Sequence, residues 1–221
     1  MNPQPSALIF DLNGTMINDM DYHIRAWTEI LNTDLRAGLR PEQVKGQMYG
    51  KNSELFVRVF GEGHMTEEEM EHWSMEKERR YQKSYKPHIQ LIKGLGALLH
   101  RAYDEKVPMG IGSAAIPFNI NFILDELNIR KYFTAIVSAD DVTISKPHPE
   151  TFLKAAALLQ VVPSSCLVFE DSPKGVEAAQ QAGIPCIVLT TMHTRNEFPV
   201  TEGIIGFIED YTDPLIGSFW G

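Results

Sequence analysis

Short apolar runs with abrupt polar stops organise this chain. Ala7-Leu8-Ile9-Phe10 is uninterrupted, then gives way to Asp11 and to the turn signal Asn13-Gly14. A continuous apolar run bounded by turn residues predicts a strand covered on both faces, as in a parallel sheet. Runs of the same kind recur at Val107 to Gly112, Ala135 to Ser138, Leu167 to Phe169, Pro185 to Leu189 and Ile204 to Ile208. Between them lie helical patterns: Leu91 to Glu105, Phe118 to Leu127, Pro149 to Leu159 and Pro173 to Ala182. The last has Pro near its start and Gly183 just past its end, the usual asymmetry of a helix. Strands alternating with helices predict an α/β fold built on a doubly wound parallel sheet.

One long interval breaks this alternation. From Met16 to Lys86 the patterns are helical only: Asp21 to Leu31, Pro41 to Gly46, Ser53 to Phe60 and Thr66 to Tyr85. In the first of these, His23 and Trp27 share a face at i, i+4. The last opens on Glu67-Glu68-Glu69 and carries Lys77, Arg79, Arg80 and Lys83 toward its end. That polarity suits the helix dipole, and the charge run reads as a solvated face. The expected organisation is a core domain of residues 1–16 and 88–221, with an all-helical cap of residues 17–87. Insertion directly after the first strand hangs the cap over the carboxyl edge of the sheet, the place of a lid.

Composition narrows the class. With 221 residues and 43% hydrophobic content the chain can bury a sizeable core. A net charge of −9 argues against nucleic acid as a partner but leaves room for a small anionic substrate. Cys166 and Cys186 lie in or beside strand runs and read as buried free thiols, which suits a reducing compartment. Met1 to Ser6 shows no basic and apolar leader, and no apolar run approaches the roughly 18 residues of a membrane span. A cytoplasmic protein without a membrane partner, monomeric or weakly dimeric, is expected.

The strand ends carry the chemistry. Asp11 closes a buried strand, where open α/β sheets bind ligands, and its charge needs a partner such as a cation. Ser113 follows the next strand, Lys146 lies one loop past Ser138, and Glu170-Asp171 closes a further strand. Each has a plain reading: Asp11 as a turn cap, Ser113 as a helix N-cap, Lys146 as a loop residue, Glu170-Asp171 as a helix start. On one sheet edge they form a set. The carboxylates suit Mg2+, and the ammonium and hydroxyl suit phosphate oxygens. A carboxylate nucleophile beside a metal and a lysine is equipped for phosphoryl transfer through an aspartyl-phosphate.

These residues stand in four motifs: Asp11-Leu12-Asn13-Gly14-Thr15; Ile111-Gly112-Ser113; Ser145-Lys146-Pro147-His148-Pro149-Glu150; and Phe169-Glu170-Asp171-Ser172-Pro173-Lys174-Gly175. Together they resemble the haloacid dehalogenase (HAD) superfamily, and within it the β-phosphoglucomutase-like phosphatases with a helical cap after motif one. Tyr22 to Trp27 is similar to that subfamily's first cap helix. The resemblance implies a Rossmann-like core and a Mg2+-dependent phosphatase acting on a small phosphate ester. It implies Asp11 as nucleophile and metal ligand, a backbone carbonyl from Asn13 on the metal, and Glu170 and Asp171 at the metal. Ser113 and Lys146 would hold the transferring group, with Gly14, Thr15 and Ala114 at the substrate. In the cap, His23, Trp27, Lys45 and Lys51 are candidate substrate contacts; packing inside the cap is the other reading of His23 and Trp27.

Two departures from the family pattern matter. Where the family keeps the Asp that acts as general acid and base, this chain has Asn13, and an amide can do neither job. Metal and phosphate binding should survive while turnover is impaired, so a non-catalytic Mg2+ and phosphate binder stays open. The mutases also follow motif two with a polar run; here Ala114-Ala115-Ile116-Pro117 offers no ammonium or hydroxyl. That favours a monoester phosphatase over a β-phosphoglucomutase.

Overall fold

The computed structural model describes residues 4–199 and 201–220. In chain order the main elements are β1 (Ala7–Phe10), α1 (Met20–Glu29), α2 (Pro41–Gln47), α3 (Asn52–Phe60), α4 (Glu67–Tyr85), α5 (Leu95–Asp104), β2 (Met109–Gly112), α6 (Pro117–Glu126), β3 (Phe133–Val137), α7 (Glu150–Leu159), β4 (Cys166–Glu170), α8 (Pro173–Gln181), β5 (Cys186–Leu189), β6 (Ile204–Ile208) and α9 (Pro214–Gly217). The chain divides into two compact units, one of residues up to 18 and from 90 onward, the other Asp19–Ile89.

The first unit holds one six-stranded sheet in the order β3-β2-β1-β4-β5-β6, parallel throughout. The chain winds from β1 outward through β2 and β3, then returns to β4 on the other side of β1. This doubly wound Rossmann-like arrangement places a topological switch point between β1 and β4. All four residues of β1 are fully buried, as an apolar strand between two helical layers must be. Ala7, Ile9, Val168 and Val188 face a cluster with Phe152 and Ala155 of α7 and Ala178 and Ala179 of α8. On the other face Phe10 stacks on Phe169 at 4.9 Å, with the Tyr211 ring beside both. Both cysteines are free and buried.

Two expectations shift. The helix expected from Leu91 starts only at Leu95, because Gly94 stands before it in the left-handed region (φ 84°). A side chain there would strike the backbone of Tyr211 and Thr212 at 2.7 and 2.8 Å. Leu91 instead bridges Ile17 in antiparallel fashion, and Ile92 N–H donates to the Met16 carbonyl. That bridge ties the two chain crossings to the sheet unit. The division accordingly falls two residues later at each crossing than the boundaries 16/17 and 87/88.

The second unit is helical. Trp27, Ile30, Leu31, Val44, Leu55 and Phe56 form its core. Thr66 caps α4, its hydroxyl accepting from Glu69 N–H while the Glu69 carboxylate accepts from Thr66 N–H. The charge run of α4 is not solvated throughout. Lys77 and Glu78 are each 3% exposed, and the Lys77 ammonium meets both Glu78 oxygens at 3.0 Å. Position on the helix decides this: Lys77 lies four residues before Tyr81 on the face that α4 turns to α1, a placement that charge patterning alone does not reveal. No described helix is long and apolar enough to cross a membrane.

Candidate active site

Register brings the motif residues together. Phe10 lies opposite Ile111 of β2 and Phe169 of β4, so Asp11, Gly112 and Glu170 form one row at the carboxyl edge. Asp11 N–H donates to the Phe169 carbonyl, and Ser113 N–H to the Val137 carbonyl, which ties the strand ends to their neighbours. Asp11, Ser113, Lys146, Glu170 and Asp171 are all buried. One ligand oxygen from each of Asp11, Glu170 and Asp171 lies within 4.8 Å of the others. An all-oxygen carboxylate set of that size fits a hard divalent cation.

Lys146 is the cation at this edge. Its ammonium donates to Asp11 Oδ1 at 2.7 Å, Glu170 Oε1 at 2.8 Å and the Gly112 carbonyl at 3.1 Å. Three donors meet three acceptors. The ammonium also sits 4.5 Å from the centre of the Phe152 ring. Burial alone would push its pKa down; the carboxylates of Asp11 and Glu170 outweigh this and hold it above the usual lysine range. The partner that a charged Asp11 requires is therefore Lys146 from a loop far along the chain.

Glu170 faces two ways. Its Oε1 takes Lys146, while Oε2 accepts from Asp171 N–H, Ser172 N–H and the Ser172 hydroxyl at 2.7, 2.6 and 3.0 Å. Asp171 Oδ1 accepts from the Thr15 hydroxyl at 3.3 Å. Burial first, then the Glu170 and Asp11 carboxylates, raise the Asp171 carboxyl well above its ordinary value; Lys146 and Thr15 oppose this. Thr15 thus serves Asp171, and its own carbonyl accepts from the buried Tyr211 hydroxyl at 2.9 Å.

Two glycines make this crowding possible. A Cβ on Gly14 (φ 75°) would lie 2.0 Å from Asp171 Oδ2, and one on Gly175 only 1.7 Å from Glu170 Oε1. Gly175→Ala is expected to push Glu170 off Lys146 and to cost about 1–3 kcal/mol, as overpacking does. Chemical denaturation checks this, and wild-type stability would show that α8 moves aside instead. Sequence reasoning did not single out Ser172, Gly175, Thr191 or Tyr211. Ser172 and Gly175 stand inside motif four, where a readable signal exists: the Ser172 hydroxyl caps α8 by accepting from Gly175 N–H. Thr191, whose hydroxyl donates to the Gly14 carbonyl, and Tyr211 carry no such signal.

The remaining candidates stand as follows. Asn13 is half-buried in the turn whose Leu12 carbonyl accepts from Met16 N–H at 2.8 Å. Ala114 follows Ser113, whose hydroxyl accepts from Ala115 N–H at 3.1 Å. In the helical unit Trp27 is part of the apolar core, edge-on to Phe56 at 5.4 Å. His23 is buried and stacked on Tyr81 at 3.7 Å; its Nδ1 lies 2.7 Å from the Lys77 ammonium and its Nε2 3.3 Å from Asp19 Oδ2. Lys45 lies in the last turn of α2 and Lys51 precedes α3, its N–H donating to Glu54 Oε2. Both are half-buried.

Comparison with known proteins agrees with this geometry. Residues 8–189 match the haloacid dehalogenase-like hydrolase family. The chain is 32% identical over 189 residues to the beta-phosphoglucomutase of Bacillus subtilis, covering 80% of each chain. It is 27% identical over 183 residues to the fructose-1-phosphate phosphatase of Escherichia coli, covering 82% of this chain and 95% of that one. Its fold matches the crystal structure of a family IA, variant 3 HAD hydrolase from Entamoeba histolytica with a TM-score of 0.83, at 26% identity and 93% coverage of both chains. The family match runs from β1 to the end of β5 and takes in Asp11, Ser113, Lys146, Glu170 and Asp171, so the chain belongs to the haloacid dehalogenase-like hydrolases.

Proposed function

We propose that this protein is a Mg2+-dependent phosphomonoesterase acting on a small phosphorylated metabolite, a sugar phosphate in class, through an aspartyl-phosphate at Asp11. The observation that carries the reading is the buried meeting of Lys146 with Asp11 and Glu170 beside Asp171. The phosphatase and phosphomutase names of the relatives support it.

Asp11, Asp171, the Asn13 carbonyl and Glu170 would hold Mg2+, which neutralises charge on the transferring phosphoryl group. The Asp11 carboxylate attacks phosphorus; the bond to the ester oxygen breaks and the alkoxide departs. Ser113 and Lys146 hold the equatorial oxygens as their charge grows, Lys146 by exchanging one of its present acceptors for a phosphoryl oxygen. Water then attacks the same phosphorus, releasing phosphate and restoring the Asp11 carboxylate. Each half-reaction moves one proton, to the leaving oxygen and then from the water. Asn13 can carry neither, so solvent or another group must do so, and turnover is slow. Lys45 and Lys51, both half-buried, stay candidate substrate contacts on this reading.

A phosphatase screen over a metabolite panel, with and without Mg2+, tests the reading; release of phosphate from none of the esters would leave the binding-only alternative that Asn13 keeps open. A β-phosphoglucomutase is disfavoured by the apolar run Ala114 to Pro117. Mg2+ titration by calorimetry should lose its signal in Asp171→Ala, and an unchanged isotherm rejects the ligand assignment. Affinity should also rise with pH. Asp171 holds its proton above the ordinary value of 3.8, so metal entry displaces that proton. The same raised value makes the metal-free protein lose stability as pH climbs from that ordinary value through the folded one. Saturating Mg2+ should flatten this loss.

A further inference from the structure

The loop that delivers Lys146 runs from Ser138 to Pro149, and its anchor lies outside the residues assigned to chemistry. Asp141 Oδ2 holds the loop's start, accepting from Ser138 N–H and the Ser138 hydroxyl at 2.7 and 2.6 Å. The approach to Lys146 is held by Glu150, the first residue of α7. Its carboxylate reaches back to accept from Thr143 N–H at 3.1 Å and Ile144 N–H at 3.0 Å. Lys154, one turn on, meets Glu150 Oε1 at 2.7 Å and donates to the Asp141 carbonyl, joining the two anchors. The same first turn of α7 supplies Phe152, whose ring lies against the Lys146 ammonium.

We infer that Glu150 is a positioning residue for phosphoryl transfer: by fixing the Thr143–Ile144 amides it sets where the Lys146 ammonium stands between Asp11 and Glu170. Ile144 is two residues from Lys146, so an error at this anchor passes directly to the ammonium. The buried end of the lysine has no slack, since all three of its donors are already matched. A charge-assisted bond to backbone amides is a stiff constraint, and a displacement of about 1 Å at a reacting group can cost roughly 10²-fold in rate.

The inference rests on the proposed role of Lys146, and its test separates the two. The first-turnover burst of p-nitrophenolate from p-nitrophenyl phosphate with Mg2+ is measured in Glu150→Ala, Glu150→Gln, Lys146→Met and the double variant Glu150→Ala/Lys146→Met. Glu150→Ala should slow the burst by roughly 10²-fold with little change in KM. Glu150→Gln keeps an acceptor for the amides and should restore most of the rate. Glu150→Ala should add no loss to Lys146→Met, because a residue acting through another has nothing further to disturb. A second readout needs no turnover: with 15N-lysine, the Lys146 Nζ resonance should shift in Glu150→Ala and return in Glu150→Gln. Should Glu150→Ala not fold, Glu150→Asp, one methylene short of the amides, carries the same comparison. Additive losses, an equally slow Glu150→Gln, or an unmoved Nζ resonance overturn the inference. A moved resonance together with a full-rate Lys146→Met leaves the positioning intact and rejects the phosphoryl-transfer role of Lys146.

Discussion

Asn13→Asp is expected to raise turnover of a phosphate monoester by about 10²–10⁴-fold, the usual worth of a positioned general acid and base. The backbone at this position is already held: the Leu12 carbonyl takes the Met16 amide, and Gly14 is pressed against Asp171. The exchange therefore alters little beyond an amide for a carboxyl. The gain should be greatest for alkyl esters, whose leaving oxygen must be protonated, and smallest for p-nitrophenyl phosphate, whose leaving group departs unaided. Stability should fall in the absence of metal, since a further carboxylate joins three at the edge, and recover with Mg2+. Steady-state assays on both ester types decide it. Equally slow turnover of both by Asn13→Asp shows that the missing acid is not the limitation, and the binding-only reading then takes precedence.

Lys146→Met should produce the largest loss. Removing the ammonium leaves Asp11, Glu170 and Asp171 buried together with their cation gone. Breaking a buried ion pair from one side typically costs about 3–5 kcal/mol. Urea unfolding without Mg2+ should show a destabilisation of that order. Saturating Mg2+ should recover much of it, because a bound dication supplies charge to the same carboxylates and stabilises the folded state by mass action. Activity should not recover, since the ammonium proposed to hold the phosphoryl oxygens is still missing. Equal destabilisation with and without Mg2+ would separate the lysine's structural role from the metal site and count against a shared centre.

Reading from sequence to structure succeeded where one residue's neighbours decide its state. The apolar run Ala7 to Phe10 specified β1, its burial and the position of Asp11 at its end, because a continuous apolar segment has only one stable place in an α/β sheet. The alternation after residue 107 specified the parallel sheet, and the absence of strands from Met16 to Lys86 specified a helical insert. It failed where distant segments meet. Gly94 looked like a helix interior because nothing near it in sequence reveals Tyr211 and Thr212. Lys77 and Glu78 looked solvated because composition does not say which face of α4 packs against α1.

The chain alone determined which chemical groups the site contains. Asp11, Ser113, Lys146, Glu170 and Asp171 are strand-end or loop residues whose types suit phosphate and a hard cation, and position 13 carries an amide that can neither give nor take a proton. Tertiary structure alone decided how they are used. Lys146 and Asp11 are 135 positions apart, and only the order β2-β1-β4 with the loop before α7 puts them 2.7 Å from each other. Only packing assigned Thr15 to Asp171, made Gly14 and Gly175 obligatory beneath two carboxylates, and turned Glu150 back onto the loop that delivers the lysine. The physical reason is range. Residue type and local hydrophobic pattern set each strand, turn and reactive group, whereas the pairing of buried charges depends on contacts between segments that are joined only when the sheet closes.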